Sequence, residues 1–212
     1  MSEALTIRSR DDFAAASIVS RETLERIDRV VETLDDWRGR LNLIGPKEWS
    51  NLWARHIWDS AQILPFVNLD ADILDLGSGA GFPGLILSAA QTADGGGGCT
   101  LVESSVKKCA FLRAAIEAAD LRAEVQRTRI ETLDPKPVGT VTARALAPLP
   151  KLFDYSGPWL ARGATGVFHK GASWNEELTA AAEQWTFAHQ AIPSRSGGDG
   201  VILIITEVSR AR

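Results

Sequence analysis

The stretch Ile73-Leu74-Asp75-Leu76-Gly77-Ser78-Gly79-Ala80-Gly81-Phe82-Pro83-Gly84 constrains the fold more than any other part of the chain. Residues suited to a buried strand run into a loop with glycine at alternate positions. A segment follows whose Pro83 suits the first position of a helix. Glycine allows a tight turn and close approach of backbone to a ligand. Strand, glycine loop and helix in this order begin a βαβ unit, which binds its ligand at the carboxyl ends of parallel strands.

From position 72 onward short apolar strands alternate with helical stretches, the pattern of a parallel sheet covered on both faces. Strands are expected at 72–76, 100–103, 123–127, 138–143, 165–169 and 201–208, and helices near 84–90, 106–119, 149–161 and 174–188. The glycine run 95–98 reads as a flexible turn into the second strand. The segment 193–200, rich in serine and glycine, reads as a loop or hairpin connection before the apolar VILIIT, so an antiparallel edge is expected there. No internal repeat is visible.

Ahead of the sheet the rhythm is helical. Leu24, Ile27, Val31, Leu34, Trp37 and Leu41 recur at steps of three or four, with Ser20 as N-cap and Glu22 in the first turn, where the helix dipole favours negative charge. Gly45-Pro46 breaks this pattern. A second helical stretch carries Trp49, Leu52, Trp53, His56 or Ile57, Ala61 and Leu64, and ends at Pro65. The chain therefore divides into a helical extension, 1–68, and a sheet domain, 69–212, a partition that its length of 212 residues accommodates.

Composition narrows the function. No apolar run approaches the roughly 20 residues of a membrane span, and the polar start lacks a signal peptide's apolar stretch. Cys99 and Cys109 match no zinc or CxxC spacing, and His56, His169 and His189 are scattered, so a reducing cytoplasmic setting without metal is expected. The net charge of −4 supplies no broad positive surface for nucleic acid. An RNA partner would need a local patch or a particular folded site. The tryptophans fall mostly at helical spacing and read as core, with base stacking by Trp53 or Trp58 the less favoured alternative.

The loop itself limits the ligand. A dinucleotide fingerprint GxGxxG beginning at Gly77 needs a third glycine at 82, where Phe82 stands. The fit is to D-x-G-x-G-x-G, which resembles motif I of class I S-adenosylmethionine-dependent methyltransferases. Glu103 closes the second strand as LVE, beside the loop, where a carboxylate can accept from both hydroxyls of an adenosine ribose. Arg144 closes the fourth strand, and a guanidinium at that buried edge needs a carboxylate or ligand partner.

Longer motifs make the resemblance specific. Leu41-Asn42-Leu43-Ile44, Arg55-His56-Ile57-Trp58-Asp59-Ser60, LDLGSGAGFPG, LVESSVKKCAFLR, TARALAPLPKL and FHKG occur in this order across about 40–208. Together they resemble the RsmG (GidB) family, which methylates N7 of a guanine in the 530-loop region of small-subunit (16S) ribosomal RNA. The resemblance implies a Rossmann-like class I methyltransferase fold, α/β, with a mainly parallel seven-stranded sheet, helices on both faces and an N-terminal helical extension. It implies S-adenosylmethionine as cofactor, held by Gly77, Gly79, Phe82, Glu103, Ile130, Glu131 and Arg144, and the small ribosomal subunit or its RNA as partner, with neither DNA nor membrane. A monomer is expected.

Guanine N7 has a free lone pair and need lose no proton before attack, so no general base is expected. Asn42, His56 and Lys170 are the candidate substrate contacts. Each has an ordinary alternative, as a helix cap, a packed histidine and a strand-end charge. Candidate cations for RNA are Arg38, Arg40, Lys47, Arg55, Lys107, Lys108, Arg113 and Lys151. One departure is that Gly198-Asp199-Gly200 precedes the last strand where relatives often carry a basic residue. The competing readings are an NAD-dependent oxidoreductase, disfavoured by Phe82, a non-catalytic ribosome-associated or cell-division module, and a methyltransferase on another substrate.

Overall fold

A computed structural model describes residues 7–16, 18–92 and 95–211. Its helices are α1 (Arg10–Ala15), α2 (Arg21–Arg38), α3 (Pro46–Trp49), α4 (Asp59–Ala61), α5 (Gly84–Ala90), α6 (Val106–Ala118), α7 (Leu149–Leu160) and α8 (Trp174–Ala182). A π-helical segment, Trp53–Trp58, leads directly into α4. The strands are β1 (Ile73–Leu76), β2 (Cys99–Glu103), β3 (Ala123–Arg127), β4 (Thr140–Arg144), β5 (Thr165–Lys170), β6 (Trp185–Pro193) and β7 (Val201–Arg210).

Among the described residues these strands form one sheet in the order β3-β2-β1-β4-β5-β7-β6. The first five are parallel, and β7 runs antiparallel to both β5 and β6. The order reverses at β1, whose neighbours are β2 and β4, so the crevice of the switch point opens above Leu76.

Alternation along β1 sorts its side chains onto two apolar layers. Ile73 joins the layer built from α2, the π-helical segment, α5 and α6, whereas Leu74 and Leu76 join the layer under α7 and α8. The helical extension thus shares a core with one face of the sheet: Ile27, Val30, Leu34, Ile57 and Phe111 belong to the same buried cluster. Polar contacts reinforce this packing. The Ser20 hydroxyl accepts from the Thr23 amide at 3.1 Å, capping α2 as expected, and the Arg26 guanidinium donates to the carbonyls of Ala89 and Gln91 at the end of α5.

One expectation is corrected. The helix placed at 174–188 stops at Ala182, and Trp185–Pro193 forms the edge strand β6, paired with β7. Its aromatic and alternating residues explain the difference, for Trp185, Phe187 and Ala191 turn to the core on one face while Thr186 and Gln190 stay exposed. The hairpin connection expected at 193–200 is the turn between these two strands. Among the described residues no helix is long and apolar enough to cross a membrane, and no group of His, Cys, Asp and Glu is placed to hold a metal ion.

Candidate functional site

Two hollows meet at the glycine loop. The larger, about 690 Å³, is lined by Leu43, Ile44 and Glu48 from the chain around α3, by Arg55, His56 and Asp59, by Phe82, Arg144 and Lys170, and by the turn 196–200. The smaller, about 300 Å³, is lined by Val102, Glu103, Thr128, Ile130, Glu131, Leu146 and Tyr155. Gly77, Gly79, Lys108 and Ala145 border both. The combined space lies within the range of small-molecule sites.

The loop's backbone explains its glycines. Gly77 has φ +66°, and a Cβ there would stand 2.6 Å from Leu146 Cδ1. Gly79 has φ +57°, and a Cβ there would meet only the Gly77 carbonyl oxygen, at an ordinary contact distance of 3.7 Å. Both conformations favour glycine, and the second leaves a bare backbone surface facing the hollows. The Gly79 amide donates to Glu103 Oε2 at 3.1 Å and the Ser105 amide to Glu103 Oε1 at 2.8 Å. Two backbone donors orient this carboxylate, and each oxygen keeps a lone pair that can accept a ligand hydroxyl.

Beneath the loop, Asp75 is buried against the start of α5. Its Oδ1 accepts from the Thr142 hydroxyl at 2.8 Å, while Oδ2 has no partner among the described residues. Burial pushes the carboxyl up to about 6, with hydrogen bonds to the carboxylate working the other way.

At the far end of the larger hollow Arg144 is held by three acceptors. Its Nη1 donates to the Arg55 carbonyl at 2.9 Å and to Asp59 Oδ2 at 3.2 Å, and Nη2 meets His56 Nδ1 at 2.6 Å. The guanidinium carbon lies 5.6 Å from the Phe82 ring centre. Asp59 also accepts from the Ser196 hydroxyl and from Gln62 Nε2. Burial works to raise the Asp59 carboxyl, but His169, Ser196 and Arg144 outweigh it and hold it below the ordinary carboxylate range. His169 is itself pushed down by burial, so the hydroxyl and the guanidinium do most of this at neutral pH. Burial, then the Arg144 charge, pushes His56 down to about 4.

The structure brings Gly77, Gly79, Glu103, Ile130 and Glu131 to the smaller hollow, and Gly77, Gly79, Phe82, His56, Arg144 and Lys170 to the larger one. Asn42 is exposed and lines neither, although its neighbours Leu43 and Ile44 do. Lys170 borders the cleft, but its ammonium lies 2.5 Å from Glu177 Oε2 and donates to the Ala147 carbonyl, so its charge is already engaged. Trp58 is buried and its indole donates to the Arg195 carbonyl at 3.2 Å, which removes it as a stacking platform. Among the candidate RNA cations, Arg55 and Lys108 line the cleft. Arg38 packs over the Trp49 ring and Lys151 approaches Asp154 at 4.0 Å.

Sequence reasoning named Asp59 only as part of a motif and passed over Glu48, Glu177 and Ser196. Asp59 follows His56 by three residues, and that helical spacing was the available signal. Glu48 and Ser196 reach the site, and Glu177 reaches Lys170 behind it, through tertiary packing, and they carry no local signature.

The profile of the family described as rRNA small subunit methyltransferase G (GidB) matches residues 23–199. A ribosomal RNA small subunit methyltransferase G of Hyphomonas neptunium is 60% identical, over 95% of this chain and 97% of that protein. A protein of the same name from Paramagnetospirillum magneticum is 42% identical, again over 95% and 97%. Among solved structures, an O-methyltransferase from Bacillus cereus in complex with SAH superposes with a TM-score of 0.58 at 16% identity, covering 93% of this chain and 96% of that one. That likeness concerns the fold, a Rossmann-like class I methyltransferase architecture. The sequence matches go further, and the chain belongs to the rRNA small subunit methyltransferase G (GidB) family.

Proposed function

We propose that this chain transfers a methyl group from S-adenosylmethionine to N7 of a guanine in the 530-loop region of small-subunit (16S) rRNA. The observation that carries this reading is the pair of hollows joined at Gly77 and Gly79, one with the oriented Glu103 carboxylate and the other with Phe82 and Arg144.

The residues present fit the cofactor. The bare backbone at Gly79 is a cradle that a side chain would fill, and Glu103 has lone pairs for ribose hydroxyls. Ile130 and Glu131 on the turn after β3 would flank the adenine, while Gly77, Phe82 and Arg144 border the end where the methyl is transferred. Bound there, S-adenosylmethionine supplies an electrophilic methyl that the N7 lone pair takes as the carbon–sulfur bond breaks, its electron pair staying on sulfur and the positive charge passing to the purine.

The protein's part is placement and exclusion of water rather than proton transfer. The lone pair on His56 Nδ1 is taken up by Arg144 and Asp59 is tied to Arg144 and Ser196, so neither is poised as a base for this step. Arg55 and Lys108 at the cleft mouth are suited to backbone phosphates, and Asn42, beside it, to the RNA rather than the reacting base. Lys170 acts through the loop it holds. The helical extension, 1–68, works as part of the site on the sheet domain, 69–212, in a cytoplasmic monomer. The test is transfer of a labelled methyl group to small subunits from a strain lacking this enzyme, with the modified base mapped. Label at guanine N7 supports the reading, and label elsewhere, or none, overturns it.

A further inference from the structure

We propose that His56 and Glu48 read the Watson–Crick edge of the target guanine, His56 Nε2–H donating to O6 and the Glu48 carboxylate accepting from N1–H and the exocyclic amine. This rests on the guanine-N7 reading above and names the groups that select the base.

The His56 tautomer follows from its neighbour. Arginine can only donate, so Nδ1, at 2.6 Å from Arg144 Nη2, is the acceptor and the proton sits on Nε2. That nitrogen has no hydrogen-bond partner among the described residues, although His56 is only 6% exposed. A buried donor without a partner is costly, and in a cleft it marks a place for a ligand acceptor. Its nearest acidic group is Glu48 Oε2 at 3.7 Å, too far for a hydrogen bond. The imidazole is kept in place by Arg144 on one side and by the Phe82 ring, 5.2 Å away between centres.

Glu48 sits on the single turn α3 with its side chain about half exposed, and among the described residues its carboxylate has no other ion pair or hydrogen bond. Both side chains line the cleft that also holds Gly77, Phe82 and Arg144. A donor and an acceptor standing side by side 3.7 Å apart match the adjacent O6 and N1–H of guanine. Adenine offers an amine and a lone pair at the same two places, so both contacts would turn repulsive. O6 lies between N1 and N7, so this grip leaves N7 free toward the methyl. The carboxylate contact also strengthens as the purine becomes cationic and its N1–H more acidic, which favours the transition state over the ground state.

The test uses small subunits reconstituted from RNA carrying guanosine or inosine at the target position, since inosine lacks only the exocyclic amine. Wild-type protein is expected to methylate the guanosine particle roughly tenfold or more faster. Glu48→Ala is expected to abolish that preference and Glu48→Gln to reduce it, with S-adenosylmethionine affinity unchanged in both, which also reports that each variant is folded. A Glu48→Ala protein that keeps the full preference, or a wild type without one, would overturn the assignment while leaving the methyltransferase reading intact. A wild type that binds S-adenosylmethionine yet methylates neither particle would remove that reading, and this one with it.

Discussion

Asp59 and Arg144 meet at 3.2 Å across the joint between the helical extension and the fourth strand, both largely shielded from solvent. The same carboxylate receives the Ser196 hydroxyl at 2.6 Å, so one buried charge connects the floor of the cleft to the turn that borders it. Gln62 reinforces the joint, its amide oxygen accepting from the Arg195 backbone at 2.8 Å.

Removing one partner of a buried pair leaves the other uncompensated. Asp59→Asn is therefore expected to lower unfolding free energy by on the order of 3 kcal/mol. Arg144→Ala is expected to lower methyl transfer by a larger factor than the stability loss accounts for, because Arg144 also lines the larger hollow, where the proposed transfer takes place. Denaturant unfolding and initial rates on the same samples separate the two effects; a rate unchanged in folded Arg144→Ala protein would make the arginine purely structural.

Gly77→Asp is expected to abolish cofactor binding. The new Cβ would stand 2.6 Å from Leu146 at a φ of +66° and put negative charge at the loop. Calorimetric titration with S-adenosylmethionine checks this, and unchanged affinity in a folded variant would contradict the loop's role.

Most of this fold could be read locally. The glycine loop, the alternation of strand and helix and the N-cap Ser20 are encoded in neighbouring residues, and they fall where expected. The edge strand β6 was missed because its alanines and glutamine, continuing on from the helical Trp174–Ala182, suit a helix, and only pairing with β7 favours the extended form. Gly77, Glu103 and Arg144 line the two hollows, a placement that could be read from the sequence because strand ends and glycines have positional meaning. The fates of Lys170 and Asn42 could not, since whether a lysine meets a ligand or Glu177 depends on how the helix that begins four residues later packs.

Lys170 gives a separate prediction. Its ammonium, Glu177 and the amide of Leu149, which donates to Glu177 at 2.7 Å, clamp the segment 145–149, where Ala145 holds φ +51°. Lys170→Met is expected to destabilise the protein by about 3 kcal/mol, and Lys170→Met with Glu177→Leu by clearly less. A double-mutant cycle measures this; additive losses would mean the pair is not coupled.

Asp75 predicts a pH dependence. Its carboxyl is raised in the folded protein to about 6, from an ordinary value of 3.8. Between these values the folded state binds more protons than the unfolded chain, so this group's contribution falls as pH rises through that window and the full cost is present above it. Asp75→Asn is expected to be stabilising relative to wild type at pH 8, by about 1–3 kcal/mol, and to lose most of that advantage at pH 4. Unfolding free energies at the two pH values give the sign directly, and an equal difference at both would show that Asp75 does not titrate this way.

One cofactor is expected to span the two hollows across the glycine loop. A crystal structure of the protein with S-adenosylhomocysteine decides this. The expected result is a ribose on Glu103, an adenine beside Ile130 and Glu131, and the sulfur reaching past Gly77 toward Phe82 and Arg144. A ligand bound away from Glu103, with both hollows left unoccupied, would show that the cofactor does not sit on this loop.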